Sequence, residues 1–258
     1  MPELKKVFGI VSYFPDDQLT HNARSERLTK LLYQLEELWP TVDVLIIAQN
    51  WKDYEPPKIK NNVIVVRYPN KLTIIGARWC LRNEFLKRDY DYIILMDDDC
   101  IIKCFIPGAH IEYMQSIDAN PNGFAFIKGR HWHTMDEYAR APLNLCAISR
   151  FILQNENFPD LDLCNDEALE DDVYAVLLHI KWAKYEFNFP PGIIHAQYIT
   201  GQYQRGLIDP EHNLPSSWFH KDTKFELIKR NTDYLLNYIV AHGDLPDMKK
   251  WKATEMLK

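Results

Sequence analysis

Apolar and polar positions divide the first hundred residues into alternating strands and helices. Four continuous apolar runs are typical of strands buried on both faces of a sheet, at residues 7–14, 42–48, 63–68 and 92–96. Leucines spaced three and four residues apart predict an amphipathic helix over 24–38, and a second helix is predicted over 74–87. This alternation favours an α/β fold in which a mostly parallel sheet is flanked by helices on both faces.

The second half of the chain has a less regular pattern and shorter predicted elements. These are helices over 107–119 and 149–155, a helix from about 168, and strands over 124–128, 143–148 and 185–189. The segment 129–142 is a polar, aromatic-rich loop, and the tail from about residue 225 is predicted to be mostly helical. Because no repeat or linker interrupts these patterns, we expect a single domain over residues 1–258.

The composition is that of a globular protein, with 47% apolar and 26% charged residues. A net charge of −6 and the lack of basic runs argue against a general nucleic-acid binder. The five cysteines form no Cys-x-x-Cys pair, and we expect free thiols in a reducing compartment. We see neither a signal-peptide core nor an apolar run near the ~20 residues of a membrane span. We therefore expect a cytoplasmic protein, which could contact the inner face of a membrane peripherally.

Three consecutive carboxylates, Asp97, Asp98 and Asp99, directly follow the apolar run at 92–96. Three negative charges at the end of a buried strand are costly without a cation. Strand alternation would place Asp97 and Asp99 on one face and Asp98 on the other. Two carboxylates at this spacing suit Mg²⁺ or Mn²⁺ bound together with substrate phosphates. The alternative is an acidic turn with solvated side chains.

A second acidic cluster lies at the start of the helix predicted from about residue 168. Its members are Asp166, Glu167, Glu170, Asp171 and Asp172. The helix dipole favours acids in a first turn, but a carboxylate that faces a pocket there could also accept a proton from an attacking hydroxyl. His195 follows two isoleucines and could be structural or a metal ligand, with His131, His133 and His220 as rival ligands. No Cys and His framework suited to zinc surrounds these histidines.

These motifs, in this order, resemble those of glycosyltransferases with the GT-A fold, most like the large inverting family of bacterial nucleotide-sugar transferases. The family has a first strand that contacts the nucleotide and a helix that contains Gly and ends in Arg-Asn. A strand that ends in Asp-x-Asp, a Glu-Asp pair at a helix start and a later histidine complete the pattern. The matching positions are 10–14, Gly76-Ala77-Arg78 through Arg82-Asn83, 97–99, Glu170-Asp171 and His195. The resemblance covers residues 7 to 205 and implies a GT-A domain.

The resemblance implies a metal-dependent transfer of one sugar from a nucleotide-sugar donor, expected to be a UDP-sugar, to a hydroxyl group. The acceptor would be a glycan, a glycolipid or another hydroxyl compound. The metal would be Mn²⁺ or Mg²⁺, bound by Asp97, Asp99 and His195, and it would stabilise the leaving diphosphate. The residues expected to contact the nucleotide sugar are Ser12, Tyr13, Arg82 and Asp98.

Asp171 is the expected catalytic base of an inverting reaction, with Glu170 positioning the acceptor. Asp172 is an alternative base, and a retaining reaction stays open. Residues 1–105 would form the nucleotide-sugar-binding half, 106–224 a smaller acceptor-side half with a wall or lid at 129–142, and 225–258 a helical tail.

Two further details bear on this function. The motif Gln202-x-x-Arg205 resembles the acceptor-side motif of processive synthases, but Gly206 stands where those enzymes have Trp, which favours transfer of a single sugar. A nucleotidyltransferase that makes a nucleotide sugar is disfavoured because residues 12–22 contain no glycine. A non-catalytic nucleotide- or sugar-binding module is disfavoured by intact carboxylates in both clusters. A nucleic-acid acceptor has little support in an acidic chain.

Overall fold

A computed structural model describes residues 3–51, 53–72, 74–127, 145–156, 158, 174, 178, 181–190 and 193–197. The strands in these ranges are β1 (Lys6–Tyr13), β2 (Asp43–Gln49), β3 (Val63–Tyr68), β4 (Tyr92–Asp97), β5 (Cys100–Cys104), β6 (Phe124–Ala125), β7 (Cys146–Ser149) and β8 (Ile193–Gln197). The helices are α1 (Gln18–Leu38), α2 (Ile74–Leu86), α3 (Ala109–Asp118) and α4 (Arg150–Asn155), and a 3-10 turn covers Ala183–Tyr185.

Six strands form one sheet in the order β3-β2-β1-β4-β7-β6. The strand β1 pairs in parallel with β2 and β4, and β2 pairs in parallel with β3. The strand β7 runs antiparallel to its neighbours β4 and β6. The chain therefore builds outward from β1 to β3 and then returns to β4 on the other side of β1. This reversal leaves a crevice between the carboxyl ends of β1 and β4, which is where parallel sheets bind ligands.

Helices cover both faces of the sheet. The helices α1 and α3 pack on one face, and α2 and α4 pack on the other. Of the five leucines whose spacing predicted α1, Leu38 is partly buried and four are buried on the first face; these are Leu28, Leu31, Leu32 and Leu35. Along β4, Ile94 and Met96 belong to the core under α1, and Ile93 and Leu95 belong to the core under α2. The prediction of an α/β fold with a mostly parallel, helix-flanked sheet is confirmed.

Two parts of the fold differ from the predicted elements. The strands β5 and β8 were not predicted; they form a separate antiparallel ribbon, which Gln34 of α1 holds through hydrogen bonds to the backbone of Ile102. The predicted strand over 185–189 is wrong, because a 3-10 turn ends at Tyr185 and Glu186 makes an isolated parallel bridge to Phe124. The predicted loop at 129–142, most of the helix from about 168 and the tail from 225 lie outside the described residues.

The cysteines agree with the expectation of free thiols where they are described. Cys80, Cys100, Cys104 and Cys146 carry no disulfide, and Cys164 lies outside the described residues. Within the ranges that the structure describes, no helix combines the length and the apolar character needed to cross a bilayer.

Candidate functional site

The three carboxylates lie at the carboxyl end of β4, beside the end of β1. Asp97 is the last residue of β4 and pairs with Val11 of β1, while Asp98 and Asp99 form a turn that leads into β5. Since the strand ends at Asp97, the alternation that predicted a common face for Asp97 and Asp99 does not extend to Asp99. Each carboxylate therefore has its own environment.

Asp98 is buried, and both of its carboxylate oxygens accept hydrogen bonds. The Ser12 hydroxyl of β1 donates to Oδ2 at 2.7 Å, and Arg24 Nη1 of α1 donates to Oδ1 at 3.3 Å. Trp51 Nε1 donates in turn to Ser12 Oγ at 3.2 Å, so a buried hydrogen-bond chain links the ends of β1, β2 and β4. Burial raises the pKa of Asp98, and the Arg24 charge and the Ser12 hydroxyl oppose that rise. Asp98 thus links Ser12 of β1 to Arg24 of α1, and its predicted contact with the nucleotide sugar stays a prediction.

Asp97 makes its ion pair on the opposite face of the sheet. Arg78 of α2 is buried, and its Nη2 donates to Asp97 Oδ1 at 2.8 Å. The helix α2 packs on one face of the sheet and α1 on the other. Arginines from two helices therefore hold the first two carboxylates from opposite sides.

Asp99 is half-buried, and within the described residues the structure gives it neither a hydrogen bond nor an ion pair. Burial, followed by the charges of Asp98 and Asp97, raises the pKa of Asp99 to about 6. The arginines Arg24 and Arg27 of α1 partly offset these effects. The ionised Asp99 is therefore the member of the triplet that a divalent cation would stabilise most.

The chemistry of Asp97 and Asp99 fits Mn²⁺ or Mg²⁺, because such ions accept one or two protein carboxylates and take further oxygens from substrate phosphates. Among the described side chains, no group of three or more His, Cys, Asp or Glu converges on one point. The backbone of His195 lies opposite Ile102, three positions beyond Asp99, whereas Gln197 lies opposite Cys100. The side chain of His195 is outside the described part of the chain, so its role as a third ligand stays a prediction.

The structure brings together some of the predicted nucleotide contacts and separates one of them. Ser12 and Tyr13 end β1 beside the carboxylates, and Lys71 Nζ lies 5.4 Å from the centre of the Tyr13 ring. Arg82 lies elsewhere, because its Nε donates to the Leu153 carbonyl of α4 at 2.8 Å. Arg78, one helical turn earlier, reaches the triplet instead. The predicted catalytic pair, Glu170 and Asp171, lies outside the described residues, and its role stays a prediction.

The sequence predicted no site role for Arg24 or for Arg78, although Arg78 belongs to the matching motif and each arginine had a local signal. Arg24 precedes the buried Leu28 by four residues, and Arg78 precedes the buried Leu81 by three. Residues at these spacings share a helix face, so both arginines lie on faces that pack against the sheet. A charged residue on such a face, near the carboxyl end of the sheet, indicates a buried ion pair.

Comparisons with known proteins give low similarity. No protein-family model and no curated protein sequence matches the chain. Residues 1–349 of TarS from S. aureus match with a TM-score of 0.44 and 14% identity over 66% of this chain and 54% of that chain. A TarS structure in complex with UDP-GlcNAc gives a TM-score of 0.43 and 13% identity over 65% and 52%. This chain thus spans about half the length of the TarS chains that it matches.

One further solved structure matches over most of both chains. It is a proposed nucleotide-diphospho-sugar transferase from Desulfovibrio desulfuricans G20, with a TM-score of 0.43 and 10% identity over 91% of this chain and 98% of that chain. At these values the function has to be argued from the chain's own residues.

Proposed function

We propose that this protein is a glycosyltransferase that moves one sugar from a nucleotide-sugar donor to a hydroxyl acceptor with the help of a divalent cation. One observation carries the proposal: three carboxylates lie at the carboxyl end of β4 and in the turn after it, where the chain order of the strands reverses, and Asp98 accepts a hydrogen bond there from Ser12 of β1. This crevice can take a nucleotide, and the acids beside it can take a cation against the diphosphate.

The residues of the crevice would act on the leaving group. Breaking the bond between the anomeric carbon and the diphosphate places negative charge on the diphosphate. Asp97 and Asp99 would hold Mn²⁺ or Mg²⁺, which when bound supplies positive charge next to the leaving oxygen. Arg78 fixes the direction of the Asp97 carboxylate through its bond to Oδ1. Tyr13, at the end of β1, would contact the nucleotide.

The acceptor side of the reaction would rely on the second acidic cluster. Asp171 would take the proton from the acceptor hydroxyl as that oxygen attacks the anomeric carbon, and Glu170 would orient the acceptor. A single direct displacement of this kind inverts the configuration at the anomeric carbon. UDP-sugars are the first donors to test.

Nucleotide binding is tested by thermal unfolding with UDP, GDP or CMP, each in Mn²⁺ and in EDTA. A ligand at one hundred times its dissociation constant stabilises the folded protein by about 2.7 kcal/mol. We expect such a rise for one nucleotide in Mn²⁺ and a much smaller rise in EDTA. Equal melting temperatures in all samples would contradict the proposal.

The role of Asp171 as the catalytic base is tested with the variant Asp171→Asn, and Asp172→Asn is the matched control. We expect the first variant to bind the nucleotide with normal affinity and to lose transfer, because the amide cannot accept the proton. The second variant should keep both properties. If Asp172→Asn loses transfer and Asp171→Asn keeps it, the base is Asp172. Full transfer by both variants removes this cluster from the mechanism.

A further inference from the structure

The two ion pairs of the triplet expose opposite charges. In the pair on the α2 side, the Asp97 side chain is 33% exposed and the Arg78 side chain is 5% exposed. In the pair on the α1 side the order is reversed, since Arg24 is 21% exposed and Asp98 is 5% exposed. An approaching ligand therefore meets a carboxylate on one side of the crevice and a guanidinium on the other.

The contacts of Arg24 also differ from those of a saturated ion pair. A guanidinium has five N–H donors, and charge-assisted bonds to carboxylates are usually 2.7–2.9 Å long. Within the described residues, Arg24 makes one hydrogen bond, to Asp98 Oδ1 at 3.3 Å. Arg78, by comparison, bonds to Asp97 at 2.8 Å. Arg24 thus has N–H groups to offer to a ligand while it stays paired with Asp98.

An anionic ligand is the partner that these groups suit. Burial lowers the pKa of Arg24, and the charges of Asp98, Asp99 and Asp97 outweigh that effect and raise it. A diphosphate held beside Asp97 and Asp99 through a cation would lie next to Asp98, the residue with which Arg24 pairs. A guanidinium recognises two oxygens of a phosphate through parallel N–H bonds.

We propose that Arg24 binds the diphosphate of the donor directly and that Asp98 is a positioning residue that holds Arg24. This inference rests on the proposed function and adds the anion-binding half of the site. It also changes the role expected for Asp98, from a contact with the nucleotide sugar to a support for the arginine. Both oxygens of Asp98 are engaged by Ser12 and Arg24, which agrees with that supporting role.

The inference is tested by measuring the affinity for UDP by calorimetry, in Mn²⁺ and in EDTA. Loss of a charge-assisted hydrogen bond weakens binding about tenfold to a hundredfold. In Mn²⁺ we expect Arg24→Met to lose UDP affinity by a factor in that range. Arg24→Lys should lose less, because lysine keeps the positive charge but not the two parallel N–H donors. Arg88→Met is the control, because Arg88 is similarly exposed at 27% and also pairs with a carboxylate, that of Glu84. Its affinity should stay within twofold of the wild type.

A double-mutant cycle separates the roles of Arg24 and Asp98. Asp98→Asn combined with Arg24→Met removes both charges, so it avoids a buried unpaired carboxylate if the single variant fails to fold. We expect the double variant to bind UDP as weakly as Arg24→Met, within twofold. A further loss beyond threefold shows that Asp98 touches the donor, which overturns its positioning role.

The failures of the two proposals are distinguishable. If the wild type binds UDP in Mn²⁺ and Arg24→Met, or the double variant, binds it equally well, the role of Arg24 is wrong and the proposed function stands. If the wild type binds none of UDP, GDP and CMP in Mn²⁺, the proposed function and this inference both fail. If it binds CMP alone, the proposed function stands and the diphosphate role of Arg24 is wrong.

Discussion

Replacing Asp99 by Asn should stabilise the metal-free protein at neutral pH while it removes the response to metal. The pKa of Asp99 is about 6 in the folded protein, against a usual value of 3.8. One pKa unit corresponds to about 1.36 kcal/mol, so ionised Asp99 costs the folded state up to about 3 kcal/mol. Partial solvent exposure of the side chain lowers this figure to about 1–3 kcal/mol.

The sign of the pH dependence follows from the raised pKa. Between about pH 4 and pH 6 the folded protein binds more protons at Asp99 than the unfolded chain does. Below about pH 4 Asp99 is protonated in both states and does not destabilise the folded protein. As the pH rises from there through 6, the free energy of unfolding falls, because the unfolded chain releases the Asp99 proton more readily. Asn carries no such titration. The advantage of Asp99→Asn over the wild type should grow across this window and stay constant above it.

The assay is urea or thermal unfolding in EDTA at pH 4.5, 6 and 8. At pH 8 the melting temperature of Asp99→Asn should exceed that of the wild type by about 3–9 °C. In Mn²⁺ and UDP the variant should gain much less stability than the wild type. The control is Asp97→Asn, which should be destabilised because it breaks the ion pair with the buried Arg78. An advantage of Asp99→Asn that is equal at pH 4.5 and pH 8, or absent at pH 8, would refute the reasoning.

Three further predictions concern the scaffold and are checked by urea unfolding. Gly9→Ala should lower the free energy of unfolding by about 1–3 kcal/mol, because a Cβ at this position would lie 2.5 Å from Ile93 Cδ1. An unchanged urea midpoint contradicts this packing. Arg150→Lys should lower the free energy of unfolding by about 3 kcal/mol. Arg150 donates to carbonyls at the end of α2, including that of Leu86, and a lysine ammonium cannot reproduce the planar set of guanidinium donors. A loss below about 0.5 kcal/mol argues against this role. Trp51→Phe should lower the free energy of unfolding by about 1 kcal/mol more in the wild type than in a Ser12→Ala background, because only the wild type loses the bond to Ser12; equal losses contradict that bond.

The central sheet could be predicted because its signals are local. The run at 63–68 became β3 with the same bounds, and the leucine spacing found most of α1. The ribbon of β5 and β8 could not be found this way, because Cys100 pairs with Gln197, far along the chain. The predicted strand at 185–189 failed for a different reason. Phe187 and Phe189 alternate because both pack in the core, where Phe189 stacks on Tyr113. Pairing with β6 is limited to the bridge between Glu186 and Phe124 and the hydrogen bond from Phe187 N to the Phe124 carbonyl.

The position of the carboxylates could be predicted, but their partners could not. An apolar run that ends in three Asp residues locates the site at the carboxyl end of β4. The choice between Arg78 and Arg82 depends on which residue of α2 faces the end of β4, and that is fixed by packing across the sheet. The pairing of Arg24 with Asp98 likewise depends on how α1 crosses back over β1.

Charge balance explains how this crevice can fold without a ligand and still accept one. Among the described side chains, Arg24 and Arg78 pair with two of the three carboxylates, which leaves the charge of Asp99. In the proposed complex a divalent cation would turn one net negative charge into one positive charge, and a diphosphate with two negative charges would reverse it again. Counted over the triplet and its two ion-pair partners alone, no step would leave more than one net charge in a partly buried site, where larger imbalances are costly. If the proposed function holds, Asp99 is the residue at which stability and ligand binding would oppose each other, whereas Asp97 and Asp98 would serve both.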